Sequence, residues 1–147
     1  MKIKIVSKSG RVPEYATSGS AGFDLSAYLP DGDFLLKAGE RALIPTGYFV
    51  ELPEGYEAQV RARSGLSIKH GVGLVNGVGT VDPDYRGEWN VPLINWSKDD
   101  YLIKDGERIA QVVISKFEQV SFDVVDDISD ISTTERGTGG FGHTGKM

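Results

Sequence analysis

The sequence predicts an all-β domain, a sandwich or a barrel, and three observations lead there. Val and Ile total 24 residues against 18 for Leu and Ala, and β-branched side chains suit a pleated sheet better than a helix. Glycine makes up 19 of 147 residues, about 13% against an average of about 7%. Short apolar runs separated by turn residues, with almost no helical period, complete the pattern.

The predicted strands follow one another along most of the chain. They cover residues 2–6, 41–50, 56–63, 72–81, 89–95 and 108–117. Residues 56–63 alternate most clearly, with Tyr56, Ala58 and Val60 on one face and charged or polar residues on the other. Pro45 and Gly47 interrupt residues 41–50. The runs 89–95 and 108–117 are apolar enough to be buried on both faces.

Turn and helix signals lie between these strands. Asn76-Gly77 between apolar residues predicts a β-hairpin within residues 72–81. Residues 104–106, Lys-Asp-Gly, predict a turn before the last strand. Residues 64–70 alone are able to form a short helix, which we expect to end at Gly71.

The C-terminal part differs in character from the body. Residues 126–135 are acidic and polar, and half of residues 136–145 are glycine. We therefore expect a β domain over residues 1–125, followed by a linker and an arm over residues 126–147. Fully extended, these 22 residues reach about 70 Å at about 3.3 Å each, farther than such a domain is wide. The arm is long enough to close over a neighbouring subunit.

Composition excludes several classes of function. The net charge of −5 argues against binding a nucleic-acid polymer, which usually requires a basic face. The absence of cysteine excludes a disulfide scaffold, a zinc ribbon, an iron–sulfur site and a cysteine nucleophile. No apolar run approaches the roughly 20 residues that span a bilayer, and no signal peptide is recognisable. We expect no membrane association and a soluble, cytoplasmic protein.

Five segments place polar or charged residues in ways that a strand does not require, and four of the five contain glycine. They are AGFDLSA at 21–27, RSGL at 63–66, NGVGTVDPDYRGE at 76–88, RIAQ at 108–111 and RGTGGFGHTG at 136–145. Each has a plain alternative when taken alone. These alternatives are a turn into a strand, a solvated arginine beside an N-cap serine, an ordinary hairpin turn, a glutamine that satisfies backbone groups, and a disordered tail.

The same segments also offer chemistry. Arg63 and Ser64, at a strand-to-helix junction, present a guanidinium fork and a hydroxyl that suit a phosphate. The backbone of residues 76–88 can bind the edge of a flat heterocycle, and Asp82 is held extended because Pro83 follows it. Tyr85 supplies an aromatic face. The glycines of residues 136–145 let consecutive N–H groups converge on an anion.

Together and in this order, the five segments resemble the five sequence boxes of the trimeric dUTPases, over residues 21–145. The resemblance implies a jelly-roll-like β-sandwich or barrel with one short helix and a glycine-rich C-terminal arm. It implies a homotrimer with active sites shared between subunits. The implied reaction, with Mg²⁺, is dUTP and water to dUMP and pyrophosphate. This reaction removes dUTP and supplies dUMP for thymidylate synthesis.

The resemblance also implies roles for individual residues. Asp82 is expected to be the general base for the water that attacks the α-phosphorus. The base and sugar are expected at Asn76, Gly79, Val81, Asp82, Tyr85 and Phe141. The phosphates are expected at Arg63, Ser64, Gly65, Gln111, Arg136, Gly140, Gly142, His143 and Thr144. Mg²⁺ is expected on the phosphates and water, with no direct protein ligand and Asp24 at most acting through water.

The sequence leaves alternatives for the role of His143 and for the activity. His143 stands where the family more often has serine, and either contacts a phosphate when protonated near pH ~6–7 or faces solvent. The related dCTP deaminases carry a glutamate five residues after the glycine that corresponds to Gly87, where this chain has Pro92. Deamination is therefore disfavoured. A non-catalytic nucleotide-binding protein is a further alternative, and the presence of Asp82, Tyr85, Gln111 and Arg136 together weighs against it.

Overall fold

The computed structural model describes residues 1–140, and the predicted arm residues Phe141, Gly142, His143 and Thr144 lie outside that range. The strands are β1 (Lys4–Ser7), β2 (Phe23–Ser26), β3 (Phe34–Leu36), β4 (Arg41–Ile44), β5 (Tyr48–Glu51), β6 (Tyr56–Arg61), β7 (Val72–Leu74), β8 (Gly79–Val81), β9 (Val91–Asn95), β10 (Tyr101–Ile103) and β11 (Arg108–Lys116). One α-helix, α1 (Ser64–His70), follows β6, and a 3-10 helix covers Ile128–Asp130.

The strands form layered antiparallel sheets, which confirms the all-β prediction. One sheet has the order β2-β11-β6-β8 and another β4-β9-β7, while β1-β5 and β10-β3 are two-stranded ribbons. Over residues 1–140 the sheets do not close into a barrel, so the architecture is a jelly-roll-like sandwich. The core packs between the layers, with Leu25 and Val112 from the first sheet and Leu74 and Leu93 from the second among its fully buried members.

The central pair β6-β11 sets the register around the candidate site. Ala58 and Val60 on β6 are buried, as the alternation predicts. On β11, Gln111 lies opposite Arg61 of β6 on one side and opposite Asp24 of β2 on the other. Asp24, Gln111 and Arg61, from segments far apart in sequence, therefore lie side by side across three neighbouring strands.

The predicted hairpin over residues 72–81 is wrong, although the turn itself is present. Gly77 adopts a left-handed conformation with φ of +72°, as the Asn-Gly pair predicts. The two arms separate, however, because β7 pairs with β9 and β8 pairs with β6. All three residues of β7 are buried, so burial in the second sheet decides its partner.

The predicted stretch 41–50 is also divided between two sheets. β4 pairs with β9 and β5 pairs with β1, and the break falls at Pro45, Thr46 and Gly47. Gly47 has φ of +72°, and a side chain there would meet the ring of Tyr28 at 3.0 Å. The two breaker residues therefore mark the point where the chain leaves one sheet for another.

Helix α1 has the predicted bounds and the predicted C-terminal glycine. Gly71 has φ of +65°, and its N–H donates to the carbonyl of Ser67 at 2.9 Å. Leu66 is buried and fixes the helix on the core. A Cβ at position 71 would lie 2.9 Å from Cβ and 3.0 Å from N of Ser97. Both the backbone conformation and the close contact therefore require glycine.

After β11 the described chain runs over the surface. Residues 118–138 are exposed, and Asp127 caps the short 3-10 helix by accepting from Ser129 N at 2.8 Å. Exposed apolar side chains alternate with polar ones at Val120, Phe122 and Val124. Within residues 1–140, no helix has the length and apolar character needed to cross a membrane.

Candidate active site

One open cavity of about 350 Å³ contains all the described residues expected to bind a base and a sugar. Asn76, Gly79, Val81, Asp82 and Tyr85 line it together. The rest of its wall is formed by Leu43, Val60, Leu74, Thr80, Glu88, Trp89, Asn90 and Pro92. Part of the lining comes from the first sheet and part from the second, so the cavity lies where the two sheets diverge.

The edge strand β8 positions the inner wall of this cavity. Gly79 lies opposite Val60 of β6. A Cβ at position 79 would lie 3.1 Å from Nδ2 of Asn76 and 3.4 Å from Cβ of Val60. The absence of a side chain therefore lets the Asn76 amide fold back against the strand and leaves the backbone open to a planar ligand.

Asp82 comes directly after β8, and the chain turns there. The N–H of Tyr85 donates to the carbonyl of Asp82 at 3.2 Å. The hydroxyl of Tyr85 donates to the carbonyl of Glu88 at 3.1 Å. The carboxylate of Glu88 accepts from Gly47 N at 2.8 Å and lies 3.6 Å from Nζ of Lys8. The loop that carries Asp82 and Tyr85 is thus tied to the β4–β5 connection.

A second group of polar residues surrounds Asp24 on β2. Its Oδ1 accepts from Nε of Arg63 at 2.9 Å, and its Oδ2 accepts from Nη1 of Arg108 at 3.0 Å. Nη1 of Arg63 also donates to the carbonyl of Arg108 at 2.9 Å. Gln111 donates from Nε2 to the carbonyl of Ala62 at 2.9 Å. Arg63 and Gln111 are therefore held beside each other, as a shared phosphate site requires.

Ser64 and Gly65 form the first turn of α1 next to Arg63. Arg63 occupies the cap position and makes no capping hydrogen bond from its side chain, so the alternative of an N-cap serine is wrong. Space around Gly65 is open, since a Cβ there would meet nothing within 4 Å. Ser64 and Gly65 are both exposed and directly follow Arg63.

The far end of the same helix contacts a partly buried hydrogen-bonded pair, Tyr101 and Glu107. The ring of His70 lies 4.8 Å from the ring of Tyr101, and the hydroxyl of Tyr101 donates to the carboxylate of Glu107. Burial, assisted by the bond to Glu107, raises the pKa of Tyr101 to about 12. This contact packs the last residue of α1 against the first residue of β10 and so helps to position the helix.

The two groups lie towards opposite edges of one sheet. The base-and-sugar cavity adjoins β8, and the carboxylate of Asp24 lies on β2, with β11 and β6 in between. Neighbouring strands are about 4.8 Å apart, so three steps separate the two edge strands by about 14 Å. Arg136 lies elsewhere, on the exposed arm, where Nε donates to the carbonyl of Gly139 at 2.7 Å. Gly140 is exposed there too.

The described side chains near Asp24 offer a divalent cation few free ligands. Both oxygens of Asp24 accept from guanidinium groups, which compete with a cation for the same lone pairs. Among residues 1–140 no group of three acidic or histidine side chains converges. This donor set suits a cation that is bound mainly by a phosphate-rich ligand and its water.

Sequence reasoning missed several residues at these sites. Arg108 shares Asp24 with Arg63, and Glu88 anchors the loop of Tyr85. Both belong to the five segments singled out above, so their position was a usable signal. Trp89 and Asn90 follow the third segment and gave no such signal.

Comparison with known proteins agrees with the geometry. A sequence model of the dUTPase family matches residues 8–145. A deoxyuridine 5'-triphosphate nucleotidohydrolase of Finegoldia magna is 51% identical over 99% of both chains. One from Fusobacterium nucleatum is 48% identical over 99% of this chain and 98% of its own. The Staphylococcus bacteriophage 80alpha dUTPase, solved with dUPNHPP, superposes with a TM-score of 0.81 at 28% identity, covering 98% of each chain. The chain therefore belongs to the dUTPase family.

Proposed function

We propose that this protein hydrolyses dUTP to dUMP and pyrophosphate, and so removes dUTP and supplies dUMP for thymidylate synthesis. The observation that carries the proposal is the single cavity lined by Asn76, Gly79, Val81, Asp82 and Tyr85. It joins a polar backbone wall, a carboxylate and an aromatic ring, which are the three features that a deoxynucleotide with a reacting phosphate requires. Membership of the dUTPase family supports the same assignment.

The base is selected by the turn between β7 and β8. Backbone groups near Asn76 and Gly79 pair with the donor and acceptor pattern of uracil, and cytosine leaves buried polar groups without partners. The close approach of Asn76 to Gly79 narrows this wall, which supports exclusion of the methyl group of thymine. Tyr85 packs against the sugar where a ribose 2′-hydroxyl would stand.

The hydrolytic step uses Asp82 as a general base. Its carboxylate takes a proton from a water molecule as the water oxygen forms a bond to the α-phosphorus. The bond from the α-phosphorus to the oxygen of the β-phosphate breaks, and pyrophosphate leaves with that electron pair. Arg63 and Gln111 hold the phosphates, and the positive charge of Arg63 stabilises the charge that develops on them. A Mg²⁺ ion would be held mainly by the substrate phosphates and water, with Asp24 at most acting through water, and it would supply further charge neutralisation.

The separation of the two residue groups supports a homotrimer with shared sites. In this assembly one subunit supplies the cavity with Asp82. A second supplies Arg63, Ser64, Gly65 and Gln111 for the phosphates. The arm over residues 126–147 of the third subunit closes the site. Arg136 and Gly140 of that arm are exposed in the single chain, and the arm's Phe141, Gly142, His143 and Thr144 are proposed to complete the cover.

The last residues before the linker support the same assembly. Val120, Phe122 and Val124 alternate with polar residues as a half-buried strand does, yet they are 67%, 86% and 87% exposed in the single chain. Alternating apolar side chains of this kind are stabilised by a neighbouring surface. The body of the domain, residues 1–125, ends at this linker.

The direct test is pyrophosphate release in the presence of Mg²⁺ from dUTP, dCTP, dTTP and UTP in parallel. We expect turnover of dUTP alone. Release of ammonia from dCTP would instead indicate deamination, and binding without turnover of any nucleotide would indicate a non-catalytic protein.

The mechanism is tested by Asp82→Asn. We expect this variant to bind dUTP in calorimetry while kcat falls at least about 100-fold, because the general base is lost. Asp84→Asn is the matched control, since Asp84 is an exposed carboxylate of the same loop, and it should keep wild-type kcat. An Asp82→Asn variant as fast as the control would refute the assignment.

A further inference from the structure

We propose that Gly87 is a specificity-determining positioning residue, which excludes ribonucleotides by leaving room for the ring of Tyr85 at the wall of the cavity. The inference rests on the proposed function, because it concerns how the enzyme distinguishes dUTP from UTP. Gly87 contacts no predicted substrate group directly. It acts through Tyr85.

The hydroxyl end of the Tyr85 ring occupies the place that a Cβ of Gly87 would take. A Cβ built on Gly87 would lie 2.5 Å from Cζ and 2.9 Å from Cε2 of Tyr85, and it would also overlap the phenolic oxygen. Real side chains do not approach so closely. The three nearest atoms to that Cβ all belong to Tyr85. The space that a side chain at position 87 would need is therefore the space that the ring occupies.

The Tyr85 side chain is held at both ends, at its hydroxyl and at its backbone. Its hydroxyl donates to the carbonyl of Glu88 at 3.1 Å, across Gly87. Glu88 is fixed in turn by its carboxylate, which accepts from Gly47 N at 2.8 Å. The backbone of Tyr85 is fixed by its N–H bond to the carbonyl of Asp82 at 3.2 Å. The ring nevertheless remains 45% exposed and lines the cavity, so no packed core holds it on its outer side.

The backbone at position 87 does not itself demand glycine. Gly87 is not among the residues with a positive φ, so an L-residue there adopts the same conformation without strain. The closest contacts of an alanine at 87 are therefore with the ring of Tyr85. That ring sits at the end of two rotatable bonds and has solvent beside it, so it moves more readily than the loop backbone.

Moving the ring changes selectivity rather than the chemical step. Tyr85 forms the wall against C2′ of the sugar, where the extra hydroxyl of UTP must be rejected. Asp82 keeps its place after β8, because the β6-β8 pairing does not involve Gly87. With the ring displaced, the 2′-hydroxyl finds open space and water in place of a clash.

The test compares kcat/KM for dUTP and UTP in Gly87→Ala. We expect the dUTP-to-UTP ratio to fall at least about tenfold, mainly through faster use of UTP, with kcat for dUTP within about threefold of wild type. The matched control is Gly19→Ala, an exposed glycine with no positive φ and with nothing within 4 Å of its Cβ. Its ratio should equal that of the wild type.

A double-mutant cycle with Tyr85→Ala shows whether Gly87 acts through the ring. We expect Tyr85→Ala to lower the ratio on its own, and Gly87→Ala to change it no further in that background. If Gly87→Ala alone fails to fold, the double variant still allows the test. It lacks the Tyr85 ring that the new methyl group would meet, so we expect it to fold. A double variant as unstable as Gly87→Ala alone would overturn the inference.

The remaining outcomes separate the inference from the proposed function. An unchanged ratio in Gly87→Ala, an equal loss for both substrates, or an additive effect in the Tyr85→Ala background would overturn the inference while dUTP hydrolysis by the wild type stands. A wild-type protein that uses UTP as well as dUTP would overturn it too. A wild-type protein that leaves dUTP intact would refute the proposed function, and the inference would fail with it.

Discussion

Replacing Gly71 by alanine tests the best-defined contact in the fold. Gly71 has φ of +65°, and a left-handed conformation costs an L-residue about 1–2 kcal/mol. The new Cβ would also lie 2.9 Å from Cβ and 3.0 Å from N of Ser97. Because one of these atoms belongs to the backbone, relief requires movement of the chain, and overpacking of this kind costs about 1–3 kcal/mol. The expected total loss of stability is about 2–5 kcal/mol.

The measurement is thermal unfolding followed by circular dichroism at one fixed protein concentration, because assembly makes Tm depend on concentration. For a chain of this size each kcal/mol lowers Tm by about 2–4 °C, so Gly71→Ala should lower it by about 4–20 °C. Gly55→Ala is the matched control. Gly55 has φ of +75° and nothing within 4 Å of its Cβ, so it should show only the conformational cost. Equal losses in the two variants would refute the argument that Ser97 is rigidly placed.

Two further predictions concern titration. The bond from Arg11 holds the pKa of Asp105 below its usual value, so this pair contributes stability above pH ~4 and loses it as pH falls through the folded pKa. The difference in urea midpoint between wild type and Asp105→Asn should therefore shrink below pH ~4, and a constant difference would contradict this. Burial and Glu107 raise the pKa of Tyr101 to about 12, so stability should fall as pH rises from about 10 towards 12. Tyr101→Phe should lack this alkaline loss and one late step in tyrosinate absorbance.

The sequence predicts the fold best where the signals are local. Alternation in β6 and the glycine that ends α1 are read from adjacent residues, and both elements have nearly the predicted bounds. β3 and β10 have three residues each, too few to show a period. The pairing of β7 was mispredicted, because the choice of a partner strand depends on which sheet buries its side chains. That information lies in residues distant along the chain.

The candidate site was also predictable where its residues are close in sequence and not where they are far apart. The five cavity residues from Asn76 to Tyr85 lie within ten consecutive positions, so one segment of sequence was enough to group them. The pairing of Asp24 with Arg108 joins residues 84 positions apart, and it depends on the register between β2 and β11. The sequence indicated Arg63 as a phosphate ligand but could not show that Asp24 already orients its guanidinium.

The turn at Asn76–Gly77 differs mechanically from a hairpin tip. A tip can rock on a single pair of strands, but this turn is anchored by β7 in one sheet and by β8 in the other. Both ends of the turn are therefore held in the packed interior, where movement of one layer against the other would disturb the close packing. Under the proposed function, this anchoring lowers the ordering entropy that binding of a base would cost. A rigid wall would also lower the affinity for a base of the wrong shape more than a flexible wall would.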